Sequence, residues 1–164
     1  MSTEIIEQIS HTYTPPYKNK RISCRAIIIE DGKILLSHEA KGDIYMSPGG
    51  GLEENETNEQ CVEREVLEET GCIVKAVKPF VTVNEYCYDT LYVNRYFICE
   101  ITGTGKACLT ETEKYKKMEP EWVDIGKALE IFGAYSTLTP DHASLYLREF
   151  TILGRTNLAI SSNG

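Results

Sequence analysis

Residues 50–72 contain a high concentration of acidic side chains. Arg64 is the single basic residue of this segment, against eight glutamates: Glu53, Glu54, Glu56, Glu59, Glu63, Glu65, Glu68 and Glu69. The chain of 164 residues has a formal net charge of −8, so most of its excess negative charge lies in this one segment. Carboxylate oxygens are hard ligands, and such a concentration of them favours Mg²⁺, Mn²⁺ or Ca²⁺ over zinc.

The same segment has the signals of a glycine loop followed by a helix. Thr57 and Gln60 have the spacing of a capping box, which predicts a helix that begins near residue 58. Gly71 is a natural helix terminator. A glycine-rich loop lets the backbone approach a ligand closely, and a loop that enters a helix can offer amide groups to an anion. The loop residues that we expect to contact such a ligand are Gly49, Gly50 and Gly51.

The phase of this helix brings carboxylates to its apolar side. With 100° per residue, Glu69 falls almost on the stripe of Val62 and Val66, and Glu65 borders that stripe. Partial burial of an unpaired carboxylate is costly, and like charges on one helix face repel each other. A bound divalent cation would relieve both problems. A metal beside an anion-binding loop indicates phosphate-ester or phosphoanhydride chemistry.

The segment resembles the signature of the Nudix hydrolases, G-x5-E-x7-R-E-U-x-E-E-x-G-U, where U is a bulky aliphatic residue. Gly50 and Glu56 match the first two positions. The last position holds Cys72 in place of an aliphatic residue. Every other charged, glycine and aliphatic position agrees: Arg64, Glu65, Val66, Glu68, Glu69 and Gly71.

The resemblance implies hydrolysis of a nucleoside diphosphate linked to another group, such as a nucleoside triphosphate or a dinucleoside polyphosphate, with Mg²⁺ or Mn²⁺ as cofactor. It implies catalytic and metal-binding roles for Glu65, Glu68 and Glu69. Glu56 would belong to the metal site, and Arg64 would orient the carboxylates by bidentate pairing.

The resemblance leaves the general base and the substrate open. In this family the base comes from the helix or from a later loop, and the later candidates are Glu111, Glu113, Glu119 and Glu121. Tyr88 lies sixteen residues past the box, where dinucleoside polyphosphate hydrolases of the family carry a tyrosine. We therefore include Tyr88 among the expected substrate contacts.

The rest of the chain predicts one Nudix-type domain over residues 21–154. A lead-in over residues 1–20 precedes it, and a disordered tail over residues 155–164 follows it. Asp31-Gly32 separates two β-type runs, which is a strong hairpin signal. Further strands and helices alternate after the acidic helix, and the last helix is expected to end at Gly154. The order predicts an α/β/α sandwich with a mixed sheet between helices, as the resemblance also implies.

Composition and charge narrow the class of protein. A hydrophobic share of 41% and a charged share of 26% are typical of a soluble globular domain. The negative net charge argues against nucleic acid or an anionic membrane as the main partner, and the resemblance implies a nucleotide-derived small molecule. Six cysteines without C-x-x-C spacing, and no secretory signal pattern, predict a cytoplasmic protein with reduced thiols. The oligomeric state stays open, with a homodimer among the options.

Two other functions are compatible with an acidic helix. The first is a Nudix-like domain that senses a nucleotide without cleaving it, although such domains usually lose box carboxylates. The second is a structural calcium-binding domain, which the absence of a D-x-[DN]-x-[DN]-G loop disfavours.

Overall fold

The computed structural model of the protein describes residues 2–162, and the side chains of residues 2–159. Within this part the chain forms nine strands, four α-helices and a short 3₁₀ helix at Tyr135–Thr137. The strands are β1 Glu4–Ile9, β2 Asn19–Ile27, β3 Ile29–Glu30, β4 Lys33–Glu39, β5 Ile44–Met46, β6 Gly49–Gly51, β7 Cys72–Cys87, β8 Thr90–Thr104 and β9 Met118–Asp124. The helices are α1 Asn58–Thr70, α2 Glu111–Tyr115, α3 Ile125–Gly133 and α4 Pro140–Ser162.

The strands form two sheets. The larger has the order β1-β7-β8-β2-β6, with β1 parallel to β7, β8 parallel to β2, and the other pairs antiparallel. In the smaller sheet β4 pairs with β9 along one edge and with β3 and β5 along the other, all antiparallel. The predicted sandwich with mixed strand directions is confirmed, and its strands divide between two sheets.

Alternation along β2 separates two hydrophobic cores. Cys24 and Ala26 face α1 and pack with Val62 and Val66 of that helix. Ile27 points the other way, into the larger core that includes side chains of α3 and α4. Because successive side chains of a strand point to opposite faces, one strand serves both helical layers.

Two local predictions are confirmed. Asp31 and Gly32 both have positive φ, 49° and 75°, in the turn between β3 and β4, as a tight hairpin with the twist of its strands requires. Helix α1 begins with the predicted capping box, in which the Thr57 side chain accepts from the Gln60 amide, and it ends at Gly71 in the left-handed conformation.

Other elements differ from the prediction. Residues 4–9 of the predicted lead-in form β1, which extends the larger sheet. The polar connector after β8 contains the short helix α2. Helix α4 continues through Gly154 to Ser162. Its buried face extends across the glycine, with Ile152 and Leu153 before it and Thr156 after it. The predicted disordered tail is therefore helical as far as residue 162, and its last two residues lie outside the described part of the chain.

None of the helices in the described residues is both long enough and apolar enough to cross a membrane.

Candidate active site

Arg64 organises the carboxylates of α1. Its Nε and Nη2 donate to the two oxygens of Glu56, at 2.7 and 3.1 Å. Its Nη1 donates to Glu65 Oε1 at 2.9 Å and to Glu68 Oε2 at 3.1 Å. Nη2 also donates to the Gly51 carbonyl oxygen at 3.1 Å, which ties α1 to β6. Glu56, Glu65 and Glu68 thus share one guanidinium, whereas Glu69 has no contact with it.

Glu56 acts on Arg64 with both of its oxygens. The fork of two hydrogen bonds is the strong bidentate geometry of an arginine–carboxylate pair. Glu56 Oε2 also accepts from the Glu53 amide at 3.0 Å. The hydrogen bonds from Arg64 lower the pKa of Glu56 to about 2 against its burial. The expected role of Glu56 as a metal ligand stays a prediction, and its contacts are those of a residue that fixes Arg64.

Glu69 lies on the apolar side of α1, as its phase predicted, and is 5% exposed. Its Oε2 accepts from the Ser37 hydroxyl at 2.8 Å and from the Gly49 amide at 3.2 Å. Its Oε1 makes no hydrogen bond to the residues that the structure describes. Burial raises the pKa of Glu69 to about 8, although Ser37 and the charge of Arg25 act in the opposite direction. One oxygen of this carboxylate is therefore held in place while the other is free.

Glu65 borders the same face. Burial raises its pKa, and the hydrogen bond from Arg64 acts against that rise. The nearest backbone is that of Gly50, where an added Cβ would lie 2.5 Å from the Glu65 carboxyl carbon. A glycine is therefore required at position 50 for Glu65 to keep its place.

The three glycines do not form the free loop that the sequence predicted. Gly49–Gly51 are the edge strand β6, antiparallel to β2, and six residues separate them from the first residue of α1. The Gly49 amide is directed at Glu69, and the carbonyl of Gly51 at Arg64. The glycines bring backbone groups close to the side chains of Arg64, Glu65 and Glu69, which explains their number without an anion at the helix N-terminus.

A cavity of about 410 Å³ lies on the α4 side of β2, on the face opposite α1, and none of these carboxylates is among its described lining residues. Arg25 on its wall is close enough to Glu69 for its charge to lower the pKa of that carboxyl group. Arg21 and Arg25 line it with two guanidinium groups, and Tyr88 and Tyr92 line it with rings. The Arg21 side chain makes no ion pair or hydrogen bond within the described residues, and the Arg25 side chain donates only to neutral oxygens, including the Ser47 carbonyl. The cavity can therefore attract an anionic ligand.

Tyr88 lies at the rim of this cavity, in the turn between β7 and β8. It is 52% exposed, and its hydroxyl donates to Asp141 Oδ1 at 2.9 Å. The structure therefore places the predicted tyrosine where a ligand of the cavity can reach its ring.

The later glutamates are distributed over α2 and β9. Glu113 is close enough to α1 for its charge to contribute to the raised pKa of Glu65. Glu111 is paired with Lys114, and Glu121 with His38. Glu119 is exposed on β9. Of the four, Glu113 is the one that the structure connects electrostatically with the carboxylates of α1.

A family model described as NUDIX domain matches residues 19–147, which is most of the chain. The chain belongs to the Nudix family.

Among curated relatives, this Nudix chain is similar to the NAD-capped RNA hydrolase NudC of Pasteurella multocida (strain Pm70). The two are 31% identical over 113 residues, which cover 66% of this chain and 40% of the relative. The chain thus spans well under two thirds of that relative's length.

Two solved structures show the same fold. A Nudix hydrolase from Nitrosomonas europaea superposes with a TM-score of 0.58 at 24% identity, over 66% of this chain and 75% of the other. An ADP-ribose pyrophosphatase from Streptococcus suis 89-1591 superposes with a TM-score of 0.55 at 16% identity, over 81% of this chain and 88% of the other.

The carboxylates of this Nudix domain fit a divalent cation in their chemistry. In the described residues no three His, Cys, Asp or Glu side chains are gathered closely enough to hold a metal ion. However, Glu65 and Glu68 each place an oxygen against the same nitrogen of Arg64, and Glu69 keeps a free oxygen on the same helix. Carboxylate oxygens are hard donors, and donors of this kind suit Mg²⁺ or Mn²⁺.

Sequence reasoning missed the residues that hold Glu69 and line the cavity. Ser37 follows Leu35 on the face of β4 directed at α1, so strand alternation alone would place a hydroxyl on an otherwise apolar face. Arg25 alternates in the same way with Ile27 on the α4 side of β2. Both are identifiable as polar exceptions in a buried strand, but their partner cannot be read from the strand itself.

Proposed function

We propose that this protein hydrolyses a phosphoanhydride bond in a nucleoside diphosphate linked to another group, with Mg²⁺ or Mn²⁺ as cofactor. The observation that carries the proposal is the state of Glu69. Its Oε2 is fixed by two hydrogen bonds, its Oε1 is free, and the charge of Glu65 on the same helix contributes to its raised pKa. A buried acid in this arrangement has no evident structural purpose and fits a catalytic one.

Glu65, Glu68 and Glu69 would hold the cation. When bound, it neutralises charge on the pyrophosphate and lowers the pKa of water. Arg64 keeps Glu65 and Glu68 together, and Glu56 keeps Arg64 in place through its bidentate pair. Removal of a proton from the attacking water falls to a carboxylate of α1 or to Glu113.

The cavity beside β2 would bind the substrate. Arg21 and Arg25 present positive charge that no carboxylate neutralises by an ion pair in the described structure, which suits the phosphates of a nucleotide. Tyr88 and Tyr92 offer rings on which a base can stack. The relatives support this class of substrate, because NAD-capped RNA and ADP-ribose both contain a pyrophosphate that joins a nucleoside to another group.

The test is a turnover assay with purified protein and Mg²⁺ against a panel of substrates. The panel comprises ordinary and oxidised deoxynucleoside triphosphates, ADP-ribose, NADH, dinucleoside polyphosphates, nucleotide sugars and NAD-capped RNA. Products are separated by ion-exchange chromatography. We expect cleavage of at least one substrate, release of a nucleoside monophosphate or pyrophosphate, and no turnover in EDTA.

Two glutamate-to-glutamine variants distinguish a catalytic role of Glu69 from the general effect of removing one negative charge from α1. Glu69→Gln should nearly abolish turnover. Glu59→Gln changes an exposed glutamate of the same helix, outside the three proposed ligands, and should keep it. Stable nucleotide binding without cleavage across the whole panel would favour the nucleotide-sensing alternative. Full activity of Glu69→Gln would contradict the assignment. A cytoplasmic location and the oligomeric state stay predictions.

A further inference from the structure

A buried carboxylate of α4 is bonded to the segment that leads into β6. Glu149 is 2% exposed. Its Oε2 accepts from the Ser47 hydroxyl at 2.7 Å, and its Oε1 accepts from the Ser47 amide at 3.2 Å. The two residues are 102 positions apart in the chain. This contact fixes both the backbone and the side chain of Ser47.

The remaining polar groups of this segment are fixed as well. The Ser47 carbonyl accepts from Arg25 Nη1 at 3.1 Å. The next carbonyl, that of Pro48, accepts from the Ala26 amide at 2.9 Å. The following amide is that of Gly49, which donates to Glu69 Oε2. The position of the Gly49 amide therefore depends on two anchors, β2 on one side and Glu149 on the other.

Burial of the Glu149 carboxylate costs free energy, so we expect this residue to have a role besides packing. A buried ion pair is often no more stabilising than apolar side chains of the same volume. Here Arg148 Nη2 donates to Glu149 Oε1 at 3.3 Å, and the Tyr96 hydroxyl donates to the same oxygen at 3.2 Å. Arg148 also pairs with Glu85 at 2.8 Å on the wall of the cavity. Such a network holds the side chains and the backbone that it contacts in a single geometry.

We propose that Glu149 is a positioning residue for Glu69. Through Ser47 it directs the Gly49 amide at Oε2 of Glu69, so that Oε1 faces the substrate. The inference rests on the proposed function only for the role of Glu69 in turnover. The positioning itself is a property of the fold that can be measured without a substrate.

The experiment compares Ser47→Ala and Glu149→Gln with Thr156→Val. Ser47→Ala removes the hydroxyl that donates to Oε2 of Glu149. Glu149→Gln removes the negative charge and replaces one of the two accepting oxygens with an NH₂ group, so both hydrogen bonds to Ser47 weaken and the hydroxyl can no longer donate to that position. Thr156→Val is the control, because Thr156 is buried in the same helix and its hydroxyl bonds only to the Ile152 carbonyl.

The first measurement is the amide proton shift and exchange rate of Gly49 in ¹⁵N-resolved NMR spectra without substrate. Both Ser47→Ala and Glu149→Gln should move the Gly49 signal upfield and accelerate its exchange, since a hydrogen bond to a carboxylate weakens. Thr156→Val should leave the signal in place. A Gly49 signal that stays unchanged in a folded Ser47→Ala protein overturns the proposal, whether or not Glu149→Gln folds.

The second measurement is steady-state kinetics on the best substrate. Misplacement of a catalytic group by about 1 Å can cost ~100-fold in rate, so we expect kcat to fall roughly 10- to 100-fold with KM changed by less than about twofold. Ser47→Thr, which keeps the hydroxyl, should recover most of the rate. Equal losses in kcat and in the folded fraction would overturn the positioning role. If no substrate is turned over but the Gly49 signal moves, the proposed function fails and the positioning stands.

Discussion

Glu69→Gln should stabilise the metal-free protein while it abolishes turnover. The pKa of Glu69 rises from 4.5 to about 8 because of its burial. A carboxyl group with a raised pKa in the folded state stabilises the fold fully only below its unfolded pKa, and this contribution is lost as pH rises toward the folded value. The glutamine is neutral at every pH, and its carbonyl oxygen can accept the hydrogen bonds that Ser37 and Gly49 now donate to Oε2.

The magnitude follows from the two pKa values at about 1.36 kcal/mol per unit. With 4.5 unfolded and about 8 folded, the wild type loses roughly 1 kcal/mol of stability by pH 5 and roughly 3 kcal/mol by pH 7. The advantage of Glu69→Gln in the free energy of unfolding should therefore widen by about 2 kcal/mol between these two pH values. This difference does not depend on the intrinsic effect of replacing a protonated carboxyl with an amide.

The assay is urea unfolding at pH 5, 6 and 7 in EDTA, with Glu59→Gln as the matched control on the exposed side of the same helix. The experiment is then repeated with excess Mg²⁺. The ion binds the folded state and stabilises the wild type by mass action, so the advantage of the variant should shrink or reverse. An advantage that stays constant with pH, or a variant that is less stable than the wild type in EDTA at pH 7, would refute the reasoning about Glu69.

Three further changes test other contacts. Gly50→Ala should lower kcat at least tenfold with a small change in Tm. Its Cβ would lie 2.5 Å from the Glu65 carboxyl carbon and would displace that side chain without displacing backbone. Gly42→Ala is the control, because its Cβ would meet only Ile44, at 3.6 Å. Arg64→Lys should weaken Mg²⁺ activation about 10- to 100-fold, since one ammonium cannot replace the bidentate fork; an unchanged activation constant would contradict this. Gly154→Ala should raise the free energy of unfolding by up to ~1 kcal/mol in urea, because it lies inside α4 with nothing within 4 Å of the added Cβ; destabilisation would show that the helix ends earlier.

The position of helix α1 was predictable because its signals are local. Thr57, Gln60 and Gly71 determine where α1 begins and ends, and these residues lie within one short stretch of the sequence. The side of Glu69 follows from the helical period alone. Capping and periodicity act between neighbours in the chain, so they can be read without knowledge of the fold.

The hydrogen bonds that hold the site were not predictable, because their partners are far apart in the sequence. Ser37 and Glu69 are 32 residues apart, and Ser47 and Glu149 are 102 residues apart. A lone serine in a strand carries no periodic signal for its partner. The end of α4 was predicted wrongly for a related reason, since burial of Leu153 and Thr156 outweighs the weak helix propensity of Gly154.

The structure reduces the number of carboxylates for which a bound cation is the only available positive partner. In the sequence, the negative charge of the whole segment appeared to need a bound metal. Arg64 contacts Glu56, Glu65 and Glu68, so one guanidinium partly compensates these three carboxylates. Glu69 does not share in this compensation, because it lies on the buried side and its contacts are a hydroxyl and an amide. A neutral Glu69 satisfies the metal-free fold, whereas an ionised one needs a positive partner at Oε1. The proposed need for a cation therefore rests on the ionised form of Glu69, and we expect the pH at which Mg²⁺ begins to bind to report the deprotonation of that carboxyl group.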